Sequence, residues 1–396
     1  MLYQRDVLSK IKKVINREEF IILMGARQVG KTSLLILLKE FLDKNKKDSY
    51  YFNLENREYL KLLNKHPYNI FELLPKSRTK QFVFIDEIQY LDDPTNFLKL
   101  LYDEKRNDIK IIASGSSSFY IDNKFKDSLV GRKFLFEIYP LNFYEYIRFN
   151  NQEKLLKLKN KKLTVWEKKK ILSLWNNYLL YGAYPKIALT AEEDIKKILL
   201  EEIGTAYIKK DIEDAGIKNI DKYFAILKIL ASQSGRLLNT KELANILGIA
   251  HKTVEGYLYV MKKSYQISLI KPFYKNMRKE LTKMPKVYLN DLGLRNFFLN
   301  NYGIIDKRED KGGYLENIVF REFLLQSDSV EKIKFWRTQD KQEIDFIFNN
   351  SAFEVKFNKD KFNYQKYNKF TNFYPEIKLA CLSYTDILRY FYKYKI

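Results

Sequence analysis

The stretch Phe20-Ile21-Ile22-Leu23-Met24-Gly25-Ala26-Arg27-Gln28-Val29-Gly30-Lys31-Thr32-Ser33 decides how this chain is read. Five apolar residues predict a buried strand, and Lys31 to Leu42 continue as a helix. Between them, Gly25 to Thr32 match GxxxxGK[ST] at every fixed position. In such a loop the backbone N–H groups of Gly25, Ala26, Arg27, Gln28, Val29 and Gly30 can turn toward phosphate oxygens. The helix that follows adds its positive N-terminus. Lys31 is suited to neutralise the β and γ phosphates and the Thr32 hydroxyl to ligate magnesium, with Ser33 completing the cofactor-binding run. ATP and Mg2+ are therefore the expected cofactors.

Working outward, further strands are expected at Ser49 to Leu54, Gln81 to Ile85, Lys110 to Ala113 and Lys133 to Ile138, with helical pattern between them, notably Pro94 to Tyr102. Short buried strands alternating with helices predict an α/β fold with a parallel sheet. The strand Gln81 to Ile85 runs into Asp86 and Glu87. A carboxylate at that edge can hold the magnesium while its neighbour polarises the attacking water, so Asp86 is assigned to the metal and Glu87 to base chemistry. Ser116, in Ser114-Gly-Ser-Ser-Ser118, either senses the γ-phosphate or simply forms a turn. Arg132 reads either as an arginine finger, in its own or a neighbouring subunit, or as a surface salt bridge.

The chain has 396 residues, enough for several domains, and 71 Lys plus Arg against 49 Asp plus Glu give a net charge of +22. That excess favours polyanionic partners, nucleic acid first among them. A single cysteine, Cys381, cannot close an intramolecular disulfide, and with His66 and His251 it supplies too few ligands for a zinc cage or an iron-sulfur cluster. No apolar run approaches membrane-spanning length, and the basic residues before Phe20 lead into a glycine loop rather than a cleavage site. A cytoplasmic protein without membrane insertion is expected.

Several marks together resemble the prokaryotic, archaeal-type AAA+ ATPases in which a P-loop domain is fused to a C-terminal region of unassigned function. They are Gly25 to Thr32, Phe84-Ile-Asp-Glu-Ile-Gln89, Ser114 to Ser118, Gly131-Arg132, Tyr139-Pro-Leu-Asn-Phe-Tyr-Glu145, Tyr178 to Pro185, Tyr207-Ile-Lys-Lys-Asp211 and Lys286-Val-Tyr-Leu-Asn-Asp-Leu-Gly293. One departure is Gly182-Ala183-Tyr184-Pro185, where the family usually has two glycines before the proline. The resemblance implies an AAA-type order of five strands, a helical lid, a winged-helix domain and a nuclease-like C-terminal fold. The expected division is 1–140 for the ATPase domain, 141–222 for a helical lid or linker, 223–300 for the winged helix and 301–396 for the last domain, with 301–313 as linker.

In Thr240 to Tyr257, Ala244, Gly248 and Val254 fall where a helix-turn-helix needs a small residue, a turn glycine and a core-facing β-branched residue. A DNA-reading helix would present His251 and Lys252, and a basic wing would bring Lys275, Arg278 and Lys279 to phosphates. A unit used only for packing fits the same pattern. Farther on, Glu316 on a helix, Asp345 on a strand, and Glu354 with Lys356 on the next strand resemble a PD-(D/E)xK nuclease core. There the acids would chelate a metal and the lysine would serve the phosphate. A half-exposed sheet shows the same alternation. The leading expectation is a magnesium-dependent ATPase coupled to DNA, with homo-oligomerisation open. The alternatives are an ATP-gated nuclease and an ATP-switched scaffold that never meets DNA.

Overall fold

Five apolar runs build one parallel sheet in the computed structural model, which describes residues 2–116, 129–274, 283–327 and 329–395. The strands are β1 (Phe20–Met24), β2 (Ser49–Asn53), β3 (Gln81–Asp86), β4 (Ile109–Gly115) and β5 (Lys133–Glu137), in the order β2-β3-β4-β1-β5. β1, β3 and β4 are buried along their whole length, which is why they read as continuous apolar runs rather than alternating ones. The register sets Met24 beside Gly115 and Ile85 beside Ala113, so the C-terminal tips of β1, β3 and β4 share one edge of the sheet. The helix Lys31–Lys44 follows β1, burying Leu34, Leu35, Leu38 and Leu42, and Pro94–Lys105 follows β3.

The described chain divides into two units, Met1–Tyr139 with Lys263–Tyr265, and Pro140–Lys262 with Gln266–Ile396. The second contains a six-stranded sheet in the order β11-β10-β9-β8-β6-β7. Its strands are β6 (Ile267–Pro272), β7 (Lys286–Leu289), β8 (Lys334–Arg337), β9 (Glu343–Phe348), β10 (Ser351–Lys356) and β11 (Lys378–Ser383). β6 and β7 form the antiparallel hairpin expected of a wing, but β6 also pairs in parallel with β8 through Lys271 and Lys334. The sheet thus runs across the boundary expected at residue 300. Pairing β6 to β8 satisfies backbone groups that a separate small domain would leave on an open edge.

Nor is 301–313 a solvated linker. The Arg308 side chain is fully buried and pairs with Asp310 at 2.8 Å, while its guanidinium also donates to Asn296 and to the carbonyl of Asn301. Elsewhere in this unit the helix Val165–Tyr181 starts from a capping box built by Thr164 and Glu167. The segments Tyr178 to Pro185 and Lys286 to Gly293 are tied together where the Asp291 carboxylate accepts the Ala183 N–H at 3.0 Å. Among the described residues no helix is long and apolar enough to cross a membrane.

Candidate functional site

Two glycines let the loop after β1 take its shape. Gly30 has φ 93°, a left-handed conformation that side-chain-bearing residues resist, and it turns the chain into the helix Lys31–Lys44. A Cβ on Gly25 would lie 2.2 Å from the Ile138 carbonyl oxygen, so only glycine allows the backbones to approach this closely. The Arg5 guanidinium donates to the carbonyls of Val29 and Tyr139, both at 2.9 Å, and pins the loop from outside. Lys31 is buried, its ammonium donating to the carbonyls of Gly25 at 3.0 Å and Ala26 at 2.7 Å. Thr32, on the first turn of the helix, is exposed and Ser33 half-buried.

Asp86 closes β3 with 1% of its surface exposed. One of its oxygens accepts the Tyr51 hydroxyl at 2.7 Å and the other accepts the Ser114 hydroxyl. A buried carboxylate bonded by hydroxyls on both oxygens is held in one orientation. Burial, then Asp86 itself, pushes the Tyr51 phenol well above its ordinary range, so Tyr51 stays a donor. Glu87 follows in the left-handed region at φ 59°, a costly conformation for a non-glycine residue and one that concentrates at functional sites. Its N–H donates to the Ser114 oxygen at 3.2 Å. Gln89 then bridges Glu87 to Ser116, donating to both side chains, at 2.8 Å to the Ser116 hydroxyl. Ser116 therefore belongs to the Glu87 network, while Ser114 is the serine that touches Asp86.

Hard oxygen donors suit magnesium. The Thr32 hydroxyl and the Asp86 carboxylate are donors of that kind, Thr32 on the first turn of the helix Lys31–Lys44 and Asp86 at the end of β3.

Arg132 is placed elsewhere. It precedes Lys133, which pairs with Phe20 at the start of β1, so it stands at the opposite edge of the sheet from the loop. Five residues of strand separate the two edges, roughly 16 Å. The guanidinium forms a two-pronged pair with Asp103, at 2.6 and 3.1 Å. This is the salt-bridge alternative, and it corrects the expectation of a finger acting within its own subunit.

In the second unit, Glu316, Asp345, Glu354 and Lys356 do come together. The Lys356 ammonium pairs with Glu354, and the Val355 N–H donates to Asp345 at 2.8 Å. At their centre lies a group that sequence reasoning missed, Lys286 of β7. Its side chain is 1% exposed, and its ammonium sits 2.6 Å from Glu343, 3.4 Å from Asp345 and 3.5 Å from Glu316. Burial alone would push this ammonium down, but Tyr288 and the carboxylates of Glu316, Asp345 and Glu343 outweigh it and hold it well above its usual range. Burial and Asp345 push the Glu316 and Glu354 carboxyls up. The expected metal position is thus corrected. A lysine supplies the counter-charge, and among the described residues no three His, Cys, Asp or Glu are grouped to hold a metal ion.

Ala244 and Val254 are buried, and Gly248 ends the helix Thr240–Leu247 at φ 62°. The helix His251–Lys263 exposes Lys252, Glu255, Gly256, Tyr259 and Lys262. His251 Nε2 is engaged 2.6 Å from the Thr240 hydroxyl. Lys275, Arg278 and Lys279 lie outside the described residues.

Residues 17–147 match the family described as an AAA domain. Residues 172–303 and 311–390 match two families described as domains of unknown function, DUF8612 and DUF4143. The chain is 28% identical over 355 residues to the uncharacterized protein MJ1544 of Methanocaldococcus jannaschii, covering 86% of this chain and 76% of that protein. It is 26% identical to an uncharacterized protein of Haemophilus influenzae over 88% of this chain and 84% of the relative. Among solved structures it shares 15% identity and a TM-score of 0.35 with the Thermotoga maritima RuvB Holliday junction branch migration motor, over 71% of this chain and 95% of that one. With AMPPCP-bound DnaA from Aquifex aeolicus it shares 20% identity and a TM-score of 0.32, over 64% and 86%.

In the AAA-domain segment the missed residues are Tyr51, Ser114 and Gln89. Gln89 carried a signal, since it closes the run Phe84 to Gln89. Tyr51 carried none, because only the pairing of β2 with β3 brings it to Asp86.

Proposed function

We propose that this protein is a magnesium-dependent ATPase that couples nucleotide turnover to DNA binding through the helices 220–263 and the following hairpin. The observation that carries the reading is the meeting, at one sheet edge, of the Gly25 to Thr32 loop with the buried Asp86 and the strained Glu87. In this reading Gly25 to Gly30 would wrap the phosphates, Lys31 would move from its loop carbonyls to the β and γ oxygens, and Thr32 with Asp86 would hold the ion. Magnesium, when bound, offsets charge on the phosphate oxygens. Glu87 orients and deprotonates the attacking water, while Gln89 and Ser116 fix its carboxylate. The match of residues 17–147 to an AAA domain supports the same chemistry.

DNA is supported by the +22 charge and by the exposed Lys252 and Lys262 on the helix His251–Lys263. The engaged ring of His251 makes it a support for the helix pair rather than a base reader. We read the C-terminal carboxylates as an ion-pair core around Lys286 rather than as a cleavage centre. The test is steady-state ATP hydrolysis by the wild-type chain and by Glu87→Gln. Magnesium-dependent turnover lost in the variant, with ATP binding kept, supports the assignment, and equal turnover refutes it.

A further inference from the structure

The N-terminal ends of β1 to β4 lie at the sheet edge opposite the nucleotide loop, and a cavity of about 350 Å³ opens there. The segments that precede β1, β2 and β3, with the first residues of β3 and β4 themselves, line it, contributing Arg17, Lys46, Lys47, Lys80 and Lys110 against the acid Asp48. That volume lies within the range of small-ligand sites, roughly 300–1,000 Å³.

Positive charge around it is in excess. Among the described residues none of the five cations makes an ion pair, and Asp48 is occupied by the hydroxyls of Ser77 at 3.2 Å and Thr79 at 2.8 Å. The helix Lys31–Lys44 ends near Lys46 and Lys47, but a helix C-terminus supplies only about half a negative charge. Lys110 is fully buried, donating to the carbonyls of Arg17 at 2.8 Å and of Glu19. Two of its three N–H groups are thereby used, and the residue lines the cavity. Burial, then the neighbouring charge of Lys80, pushes Lys110 down to about 7, with Glu19 pulling the other way. Lys80 is itself lowered by burial, with Glu18 opposing and Arg106 adding to the effect. Asp48, Glu18 and Glu19 offset only part of the charge of five cations, and holding the excess together costs free energy that a bound anion would return.

We propose that this cavity is a second anion site, taking a phosphate group, about 16 Å from the nucleotide loop across the sheet. Lys110 anchors the floor through the carbonyls, and Arg17 and Lys80 close on the phosphate oxygens, Arg17 with its fork of donors. The phosphate belongs either to a free small molecule or to a nucleic-acid backbone, and the two sources share this chemistry. The proposal does not depend on the ATPase reading.

The probe is inorganic pyrophosphate, titrated calorimetrically into full-length Lys31→Ala protein so that the nucleotide loop is disabled. Saturable binding is expected, weakened roughly tenfold or more when Arg17→Gln and Lys80→Gln are added. Among the described residues neither side chain makes an ion pair, so unchanged melting of the added variant checks that the fold is kept. A twelve-nucleotide thymidine oligomer is the second arm. Displacement of pyrophosphate by it identifies a strand, and failure to displace identifies a free phosphate ligand, either result supporting a phosphate site. Absence of saturable binding in Lys31→Ala, or an affinity unchanged by the Arg17 and Lys80 substitutions, overturns it. ATP titration of the unsubstituted chain reports on the nucleotide loop separately.

Discussion

Replacing Lys286 by methionine keeps the length and apolar stem of the side chain and removes one buried charge. Three carboxylates lie within 2.6–3.5 Å of its ammonium, in a pocket where the lysine is 1% exposed. At an effective dielectric near 20, each contact at 3.5 Å contributes on the order of 5 kcal/mol before desolvation is charged against it. Removing one partner of a buried pair leaves a net cost of about 3–5 kcal/mol. At roughly 2–4 °C per kcal/mol, the melting transition of the second unit should fall by about 6–20 °C at pH 8. The loss should also depend on pH. Glu316 and Glu354 have folded values raised above their ordinary 4.5, so the folded state binds more protons than the unfolded one. Their contribution to stability is greatest at low pH and is lost as pH climbs from about 4.5 through the raised values. Lys286 opposes the rise at Glu316, so without it that value rises further and the deficit should be larger at pH 8 than at pH 5.5. Differential scanning calorimetry of the full chain at the two pH values measures this. A Lys286→Met protein that melts with the wild type at pH 8, or whose deficit is the same at both, refutes the ion-pair core.

Manganese should leave the wild-type melting of the second unit unchanged but raise that of Lys286→Met, because the emptied position faces carboxylates that a divalent ion can bridge; calorimetry with and without the ion reads this. Ser114→Ala should lower ATP turnover while sparing ATP binding, and cost about 1–3 kcal/mol, since Asp86 is left buried with one hydroxyl fewer. Arg132→Ala should leave turnover within about twofold, because its guanidinium is committed to Asp103 far from the loop. DNA affinity should fall steeply with salt, and Lys252→Ala with Lys262→Ala should flatten the slope of log affinity against log salt by about two charges. A salt-independent affinity would remove DNA from the function.

The nucleotide loop was legible because its requirements are local. A left-handed turn at Gly30, a close backbone approach at Gly25 and the lysine that follows are demands of a few consecutive residues, and the chain states them in order. The strands were legible for a similar reason, since the fully buried β1 and β3 appear as apolar runs and β4 does so apart from Lys110. What the sequence left open was settled by pairing between distant segments. Tyr51 reaches Asp86 across 35 positions, Ser114 across 28, and Lys286 reaches Asp345 across 59. Residue type alone marked Arg132 for either of two roles, and the register of β5 against β1 put it at the far edge. The hairpin β6-β7 looked like a wing by its alternation, yet its second edge belongs to β8. Strand order and register carry no local sequence signature, because any apolar strand can pair with any other of similar length. The cations at the opposite edge, each unremarkable in its own segment, likewise line a single cavity only when four parallel strands start side by side.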